Sequence, residues 1–562
     1  MMAGTKPPTL LTHSSFRWGL FAIVVIGLSL GQIGIGQREL FNPNGVGQLW
    51  QFVVASGQPD LSPDLLRLTA DATLTTLAYA VCGTCLSVLL GCFGGLFCSE
   101  VWWSAIVPHS SHRFTSGWLI TKALLAIPRA IHEVIWGLIF INIFGLDPLV
   151  AVLAIAIPFG AITAKIFAEI IDETPRQPFQ ALVGSGVAPL TALFYTLLPQ
   201  AFLHLLSYVF YRFECSIRSA AVLGMIGAGG LGYEILLSLQ SLRYPQLWTF
   251  FYALFLLNGA VDFISAWTRQ QLGCPSRLDL NARKPLPPIA RTGRQYRRLP
   301  IVLSLSLLGL ISFCFWYIQA DFRQLWSART YRLLREMVRS SLPPDWSIVP
   351  QFLPLSLQTV AMSILAIVLA AVGGMLLSFP AAHNFFLPGG LLNRTGQGNR
   401  WLAWVGLLAA RSLLLISRAI PAPVWALVVL FVTFPGILPG AIALGLHNLG
   451  ILGRLKAEVI ENLDQRPLEA LKAQGTPSSL VWLYGVLPLT LTRFLAYDLY
   501  RWEVCMRETV IVGLVGAGGL GRLMMEQLSS FDYRALLPTL LGFIVLTFLV
   551  DWISATARRS LR

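Results

Sequence analysis

Twelve apolar runs, each long enough to cross about 30 Å of hydrocarbon as a helix of roughly 20 residues, constrain this chain more than anything else in it. Six fall in the first half, near Trp18 to Ile35, Leu68 to Phe97, Trp118 to Phe144, Leu149 to Ile170, Leu190 to Phe213 and Leu247 to Trp267. Six follow near Leu299 to Ile318, Leu353 to Phe379, Leu402 to Phe434, Ile437 to Leu455, Leu480 to Tyr500 and Leu536 to Ile553. Lipid offers no partner to an open backbone, so the runs are expected to be helices and the fold class all-α. Only 12% of the 562 residues are charged and 55% are hydrophobic. Soluble domains carry about a quarter charged residues, so a soluble enzyme is excluded.

Charge then sets topology. The segment Arg269 to Arg298 holds eight Lys or Arg against one acid, Asp279, and Arg558, Arg559 and Arg562 close the chain. Both are expected on the cytoplasmic side, and the even number of spans puts the amino terminus there as well. The net charge of +14 is thus assigned to lipid headgroups rather than to nucleic acid. Lys6 and Arg17 ahead of Trp18 imitate a signal peptide, but the apolar run is long and is read as an uncleaved span. Arg329, Arg332, Arg335 and Arg339 would lie outside, as a basic amphipathic helix on the membrane surface or as a solvated helix face. Cys82 and Cys85 match half a metal site, but no second pair follows, and the cysteines read as small apolar residues, with no metal expected.

The chain is an internal duplication. Arg212-Phe-Glu-Cys-Ser-Ile-Arg218 and the following residues to Gly232 align with Arg501-Trp-Glu-Val-Cys-Met-Arg507 and the residues to Gly521, an offset of 289. The same offset carries Arg129 onto Arg418, Trp136 onto Trp425, Glu169 onto Glu458, Gly186 onto Gly475, Pro199 onto Pro488 and Asp262 onto Asp551. Six spans per copy make the repeats parallel, related by an axis along the membrane normal. The expected organisation is a first permease repeat at 1–270, a basic linker at 271–298 and a second repeat at 299–562, with a polar path between the halves.

Two motifs recur in both copies. Gly227-Ala-Gly-Gly-Leu-Gly232 and Gly516 to Gly521 spell GxGxxG, but no strand or soluble βαβ unit is available, so they read as tight or re-entrant turns in which Gly229, Gly230, Gly518 and Gly519 let backbones approach. No GxxxxGK[ST] loop is present, so the chain carries no ATPase site of the usual kind. The second motif follows the fourth span: Gln180-Ala181-Leu-Val-Gly-Ser-Gly186 and Glu469-Ala470-Leu-Lys-Ala-Gln-Gly475, each with Gly thirteen residues before Pro. It reads as a helix, a glycine turn and a new span: a simple helix hairpin, or a surface shown twice to a twofold partner.

The Glu-Ala-Ala, three residues, Gly, then Leu-Pro pattern resembles the coupling-helix signature of the membrane subunits of ATP-binding-cassette importers. The GAGGLG pair is similar to the methionine and phosphonate branch. Arg418-Ala-Ile-Pro-Ala-Pro-Val-Trp-Ala-Leu427, Leu342-Pro-Pro-Asp-Trp-Ser347, Arg507 and Asp551-Trp-Ile-Ser554 resemble the phosphonate-importer permease. The resemblance implies a methionine-importer-like fold in an inner membrane. It implies two cytoplasmic ATPases that bind ATP and Mg, an external binding protein, and a phosphonate, phosphite or related oxyanion as cargo. Such permeases commonly act as two identical chains; here one fused chain would replace the pair. Gln180 departs from the acid that Glu469 keeps, Thr196 and Gly485 replace the usual Ile, and His132-Glu133 stands where the second copy has Pro421-Ala422. The two ATPase docks are therefore expected to be unequal.

The expected coupling residues are Glu169, Gln180, Ala181, Gly186, Glu458, Glu469, Ala470 and Gly475. For the path, Arg129 and Arg418 either attract an oxyanion through bidentate hydrogen bonds or brace neighbouring helices. Arg218 and Arg507 are placed nearby, and the spacing of Glu214 with Arg218 and of Glu503 with Arg507 predicts i,i+4 salt bridges within a helix. An amino-acid importer, an ion-driven carrier with parallel repeats, and a channel or scaffold are the competing readings.

Overall fold

The computed structural model describes residues 14–34, 39–106, 112–272, 298–386, 400–513 and 515–560. Lys6, Cys274, Arg562 and nearly all of the basic linker 271–298 lie outside them. In chain order the first half forms α1 (Ser14–Ile33), α2 (Val46–Ala55), α3 (Pro63–Cys98), α4 (Glu100–Ile106), α5 (His112–Ala130), α6 (Glu133–Phe144), α7 (Pro148–Glu173), α8 (Gln177–Gly184), α9 (Pro189–Ala192), α10 (Leu198–Leu223), α11 (Leu231–Gln240) and α12 (Tyr244–Leu272). The second half forms α13 (Arg298–Ile318), α14 (Ala328–Ser340), α15 (Val349–Ala381), α16 (Arg400–Ala419), α17 (Ala422–Val429), α18 (Ile437–Glu461), α19 (Arg466–Ala473), α20 (Ser478–Val481), α21 (Leu487–Gly513), α22 (Gly519–Ser529) and α23 (Tyr533–Ser560). Among the described residues the β-structure is one isolated bridge, Phe41 with Thr433.

Nine of the described helices are long and apolar enough to cross a membrane, ten if a bent pair counts as one span. That pair and two shorter apolar helices, Trp18–Ile33 and Ser304–Ile318, occupy the remaining expected places. The structure corrects the reading of Trp118 to Phe144 as one straight run: its two helices meet at 82°. The aligned run from Leu402 likewise breaks between α16 and α17. Pro421 has no N–H to continue the second helix, whereas at the first break the His132 imidazole accepts from the Val134 amide and starts a new helix. The carbonyls freed beside each break are met by indoles, Trp136 Nε1 donating to Pro128 O at 3.4 Å and Trp425 Nε1 to Ser417 O at 3.1 Å.

The chain divides into two compact units, residues 55–338 and residues 1–54 with 339–562. The sequence repeats and the compact units therefore divide the chain differently. In the first of these units α3 packs along α7, and α13 from the second half lies against α3. Cys314 and Ile318 of α13 enter the same apolar cluster as Cys82, Ile155 and Leu223, and Leu333 and Met337 of α14 pack on it. The basic amphipathic α14 thus has one face on protein, while Tyr331 and Val338 stay exposed. In the other unit α15 packs along α18, and α1 from the first half lies against α15. The loop after α1 is strapped there, Asn42 N–H donating to Val432 O and Phe434 N–H to Leu40 O.

Small residues allow the long helices to touch. A Cβ on Gly91 would lie 2.5 Å from Thr163, and one on Gly374 would lie 3.0 Å from the Gly453 amide. Without a hydrophobic drive between spans in lipid, such close contact is what holds them. Matching turns lead into α3 and α15. Asp60 and Asp345 each accept from the amide two residues on, and hydrogen bonds from Ser62 and Ser347 hold both exposed carboxyls below the usual range.

Candidate functional site

The duplicated loop motif folds as a short exposed helix in each unit. After α7, α8 carries no buried side chain, and after α18, α19 buries only Leu468. Gln180, Ala181, Glu469 and Ala470 all face solvent. Each helix is stopped by a glycine in the left-handed region, Gly186 at φ +90° and Gly475 at φ +80°. Gly186 N–H donates to Val183 O, and Val187 N–H reaches back to Leu182 O, which satisfies the last carbonyls; Gly475 and Thr476 repeat the pattern. A π turn follows in both copies, Leu193–Leu197 and Trp482–Val486. It widens the helix where Pro199 and Pro488 have no N–H for the carbonyl four residues back. Tyr195 and Tyr484, aligned on these turns, are 77% and 70% exposed, giving each loop the same bare aromatic neighbour. The departure from Ile at Gly485 has a steric reason, because a Cβ there would meet Leu468 Cδ2 at 2.5 Å.

Glu169 and Glu458 are not on these short helices. They sit on the preceding α7 and α18, paired within the helix to Lys165 at 3.6 Å and Arg454 at 3.0 Å. Three residues further on, Asp172 and Glu461 anchor the loop ends. Asp172 accepts from Ser99 Oγ and from the amides of Glu100 and Val101, capping α4, whereas Glu461 accepts from the His383 amide and from Arg411 at 2.6 Å.

Both GAGGLG segments are sharp turns between helices. Gly227, Gly229 and Gly230 have φ of +108°, +88° and +77°, and Gly516, Gly518 and Gly519 have +81°, +83° and +71°. Gly232 packs so closely that a Cβ would fall 1.7 Å from Ala221 O. The turns are pinned by two threonines that lie outside the repeated motifs: Leu231 N–H donates to Thr76 Oγ1 and Leu520 N–H to Thr359 Oγ1, both at 2.9 Å. Thr76 and Thr359 differ by 283 in number, not 289, because the segment from α3 to Arg129 is shorter by 289 − 283 = 6 residues than the segment from α15 to Arg418. The geometry is a helix–turn–helix with no strand before it, so the dinucleotide reading of GxGxxG has no support here.

Arg129 and Arg418 occupy the last turns of α5 and α16, immediately before the two breaks, where a cation also suits the helix C-terminus. Gly450 lets α18 approach Arg418 closely; a Cβ there would lie 2.5 Å from its amide nitrogen. The structure brings Arg129 and Glu169 into one cleft of about 250 Å³ on α5 and α7, with Lys122, Lys165 and Asp172. Arg218 and Arg507 are half-buried on α10 and α21, one to two turns before the glycine turns.

The expected salt bridges within α10 and α21 give way to bridges between helices. Glu214 accepts from Ser265 Oγ at 2.6 Å and Arg269 at 3.3 Å, and Glu503 pairs with Arg558 at 2.5 Å instead of with Arg507. Arg269 and Arg558 are themselves 289 apart, so the repeat is kept in three dimensions by residues that sequence spacing did not pair. Two buried ion pairs belong to the second half alone. Lys456, 1% exposed, meets Asp498 at 2.8 Å, and Arg501 meets Glu508 at 2.6 Å beside Asn448. The aligned first-half positions are Phe167, Val209, Arg212, Ser219 and Phe159. There Arg212 hydrogen-bonds Tyr208 and stacks 4.5 Å over the Phe159 ring.

Comparison with known proteins agrees with the duplication. A family model described as "Binding-protein-dependent transport system inner membrane component" matches residues 111–272 and again 397–562, together more than half of the chain. The phosphate-import permease protein PhnE of Mycolicibacterium smegmatis is similar at 26% identity over 79% of this chain and 78% of that protein. The phosphite transport system permease protein PtxC of Stutzerimonas stutzeri is 33% identical over 39% of this chain and 74% of its own length. A putative cryptic phosphonate transport system permease, PhnE2 of Escherichia coli, is 34% identical over 21% of this chain and 97% of its own.

Proposed function

The chain belongs to the family of binding-protein-dependent transport system inner membrane components, and on that premise we propose that it is the fused permease of an importer for a phosphorus oxyanion. Two soluble ATPases supply the energy and an external binding protein delivers phosphate, phosphite or a phosphonate. That substrate class draws support from the names of the relatives just described. Both termini and the loops carrying α8 and α19 lie on the ATPase side.

The observation that carries the reading is the exposed helix closed by a left-handed glycine, built twice. An exposed surface repeated once per half is what two copies of one soluble partner require. ATP binding closes the ATPase pair, α8 and α19 move with it, and the halves rock to expose the path to one side and then the other. Gly475→Glu puts a bulky charged side chain where φ is +80°, a conformation that costs an L-residue roughly 1–2 kcal/mol, and so displaces α19. Expected is uptake of phosphite or phosphonate lost while the associated ATPase still turns over. Unchanged uptake by the assembled transporter overturns the coupling role.

Arg129, Arg418, Arg218 and Arg507, with Gly229, Gly230, Gly518 and Gly519, are assigned to the route. Support comes from four half-buried guanidiniums, placed in matching positions next to the breaks and turns of both units. Ionised groups inside a membrane protein mark such routes, because they are costly without a function or a partner. Replacing Arg418 by Gln is expected to lower uptake about tenfold or more at unchanged protein level, in line with the strength of bidentate oxyanion contacts.

A further inference from the structure

The cleft on α5 and α7 holds, beside Arg129 and Glu169, two lysines that the proposed coupling and route do not use. Its rim carries Lys122 and Lys165, its interior Arg129, and its acids are Glu169 and Asp172. The acids are largely committed: Asp172 caps α4 through three hydrogen bonds, and Glu169 lies 3.6 Å from Lys165. The Lys122 ammonium lies 3.7 Å from the centroid of the Trp118 ring. Trp118 in turn is fixed, donating from Nε1 to Cys98 O at 3.0 Å.

Around Lys122 the helix is apolar and bare. Leu119, Ile120, Leu124 and Ile127 are all more than half exposed, the pattern of a lipid-facing wall. An ammonium on such a wall must lean toward the interface or find an anion. Lys122 leans one turn back along α5 to a tryptophan, the residue that marks headgroup depth in membrane proteins. In the second repeat the position of Lys122 is tied to protein. Arg411, aligned with Lys122, donates to Glu461 and to Ala381 O at 2.9 Å, and Arg454, aligned with Lys165, holds Glu458 at 3.0 Å. In the first repeat Lys165 pairs with Glu169 as Arg454 does with Glu458, whereas Lys122 stays on the exposed face of α5.

We infer that this cleft binds the phosphate of an anionic phospholipid in the leaflet nearest α8, with Lys122 and Lys165 on the headgroup and the exposed α5 face along the acyl chains. Basic clefts between spans near the membrane surface select such headgroups. A free phosphorus oxyanion offers the same charge but no chains for the α5 wall.

The test is native mass spectrometry of the full chain, purified with its partner subunits and supplied with phosphatidylglycerol or phosphatidylcholine. Wild type is expected to retain phosphatidylglycerol, and the double variant Lys122→Gln, Lys165→Gln to show about tenfold lower occupancy. Lys122→Arg, which keeps the charge, retains the lipid, and Arg411→Gln in the other repeat leaves retention unchanged. Equal phosphatidylglycerol occupancy in the double variant overturns the site. Displacement of the lipid by millimolar inorganic phosphate or phosphite overturns the lipid in favour of a free oxyanion. Phosphatidylcholine bound as well as phosphatidylglycerol removes the charge argument and overturns it too.

Discussion

Each unit keeps a largely buried carboxylate at the position of Ser219 on α10 and Glu508 on α21, but a different residue supplies it. In the first, Glu133 reaches Ser219 from the start of α6. In the second, Glu508 stands at the position of Ser219 and Ala422 at that of Glu133, so the acid has moved from one element to the other. Glu508 neutralises Arg501 at 2.6 Å, and both are nearly buried. Removing one partner of such a pair strands a charge, at a cost of about 3–5 kcal/mol. Glu508→Ala is therefore expected to lower the thermal unfolding midpoint in detergent sharply, and Ser219→Ala at the aligned site far less. Lys456 and Asp498 give the complementary prediction. Asp498→Ala alone should destabilise by a similar amount, while Lys456→Phe with Asp498→Val, the first-half residues, should return close to wild type; a double variant as poor as the single would refute the transplant. These pairs could not be read from the repeat, since Lys456, Asp498 and Glu508 occupy columns where the two copies differ in residue type, and only Arg501 keeps its counterpart, Arg212.

At the scale of elements, hydropathy located the spans because composition over about 20 residues decides what enters lipid. It could not see the breaks, because Ile131 and His132 are as compatible with a continued helix as with a bend. Pro421 carried a signal; His132 did not. The glycine turns were legible as turns, since four glycines in six residues have no other physical use between two spans. Their anchors were not. Thr76 Oγ accepts from Leu231 and donates to Ala72 O in its own helix, a bridge visible only once α3 and α11 are side by side. Thr76→Val keeps the shape and leaves the Leu231 amide buried without an acceptor, which costs about 1–3 kcal/mol. Hydrogen exchange at the start of α11 is expected to speed up in Thr76→Val, and at the start of α22 in Thr359→Val, each without effect on the other turn. Unaltered protection in both would show that glycine packing alone holds the turns.

For the whole molecule, the decisive fact is that the compact units and the sequence repeats disagree. Residues 1–54 belong with 339–562, and the α13–α14 segment belongs with the first half's helices. Sequence alignment finds which residues are equivalent but not which neighbours they choose, so a duplication at offset 289 left this exchange of first spans invisible. Its consequence concerns the linker. Cutting at 273–297 yields two fragments, each of which holds the first span of the other's compact unit. Fragment 1–272 then lacks α13, together with the hydrogen bond from Gln324 to Asp147, and fragment 298–562 lacks the strap of Asn42 and Leu40 on 432–434. In lipid these polar and close-packed contacts matter more than apolar area, because acyl chains replace lost hydrophobic neighbours at little cost. Co-expressed fragments are expected to co-purify in equal amounts and to restore uptake, and either fragment alone to fail to accumulate as a folded monomer. A solitary fragment 298–562 that unfolds at the midpoint of the intact chain would mean that the first span contributes nothing to the unit it joins, and that the linker, rather than the exchange, holds the two halves in one molecule.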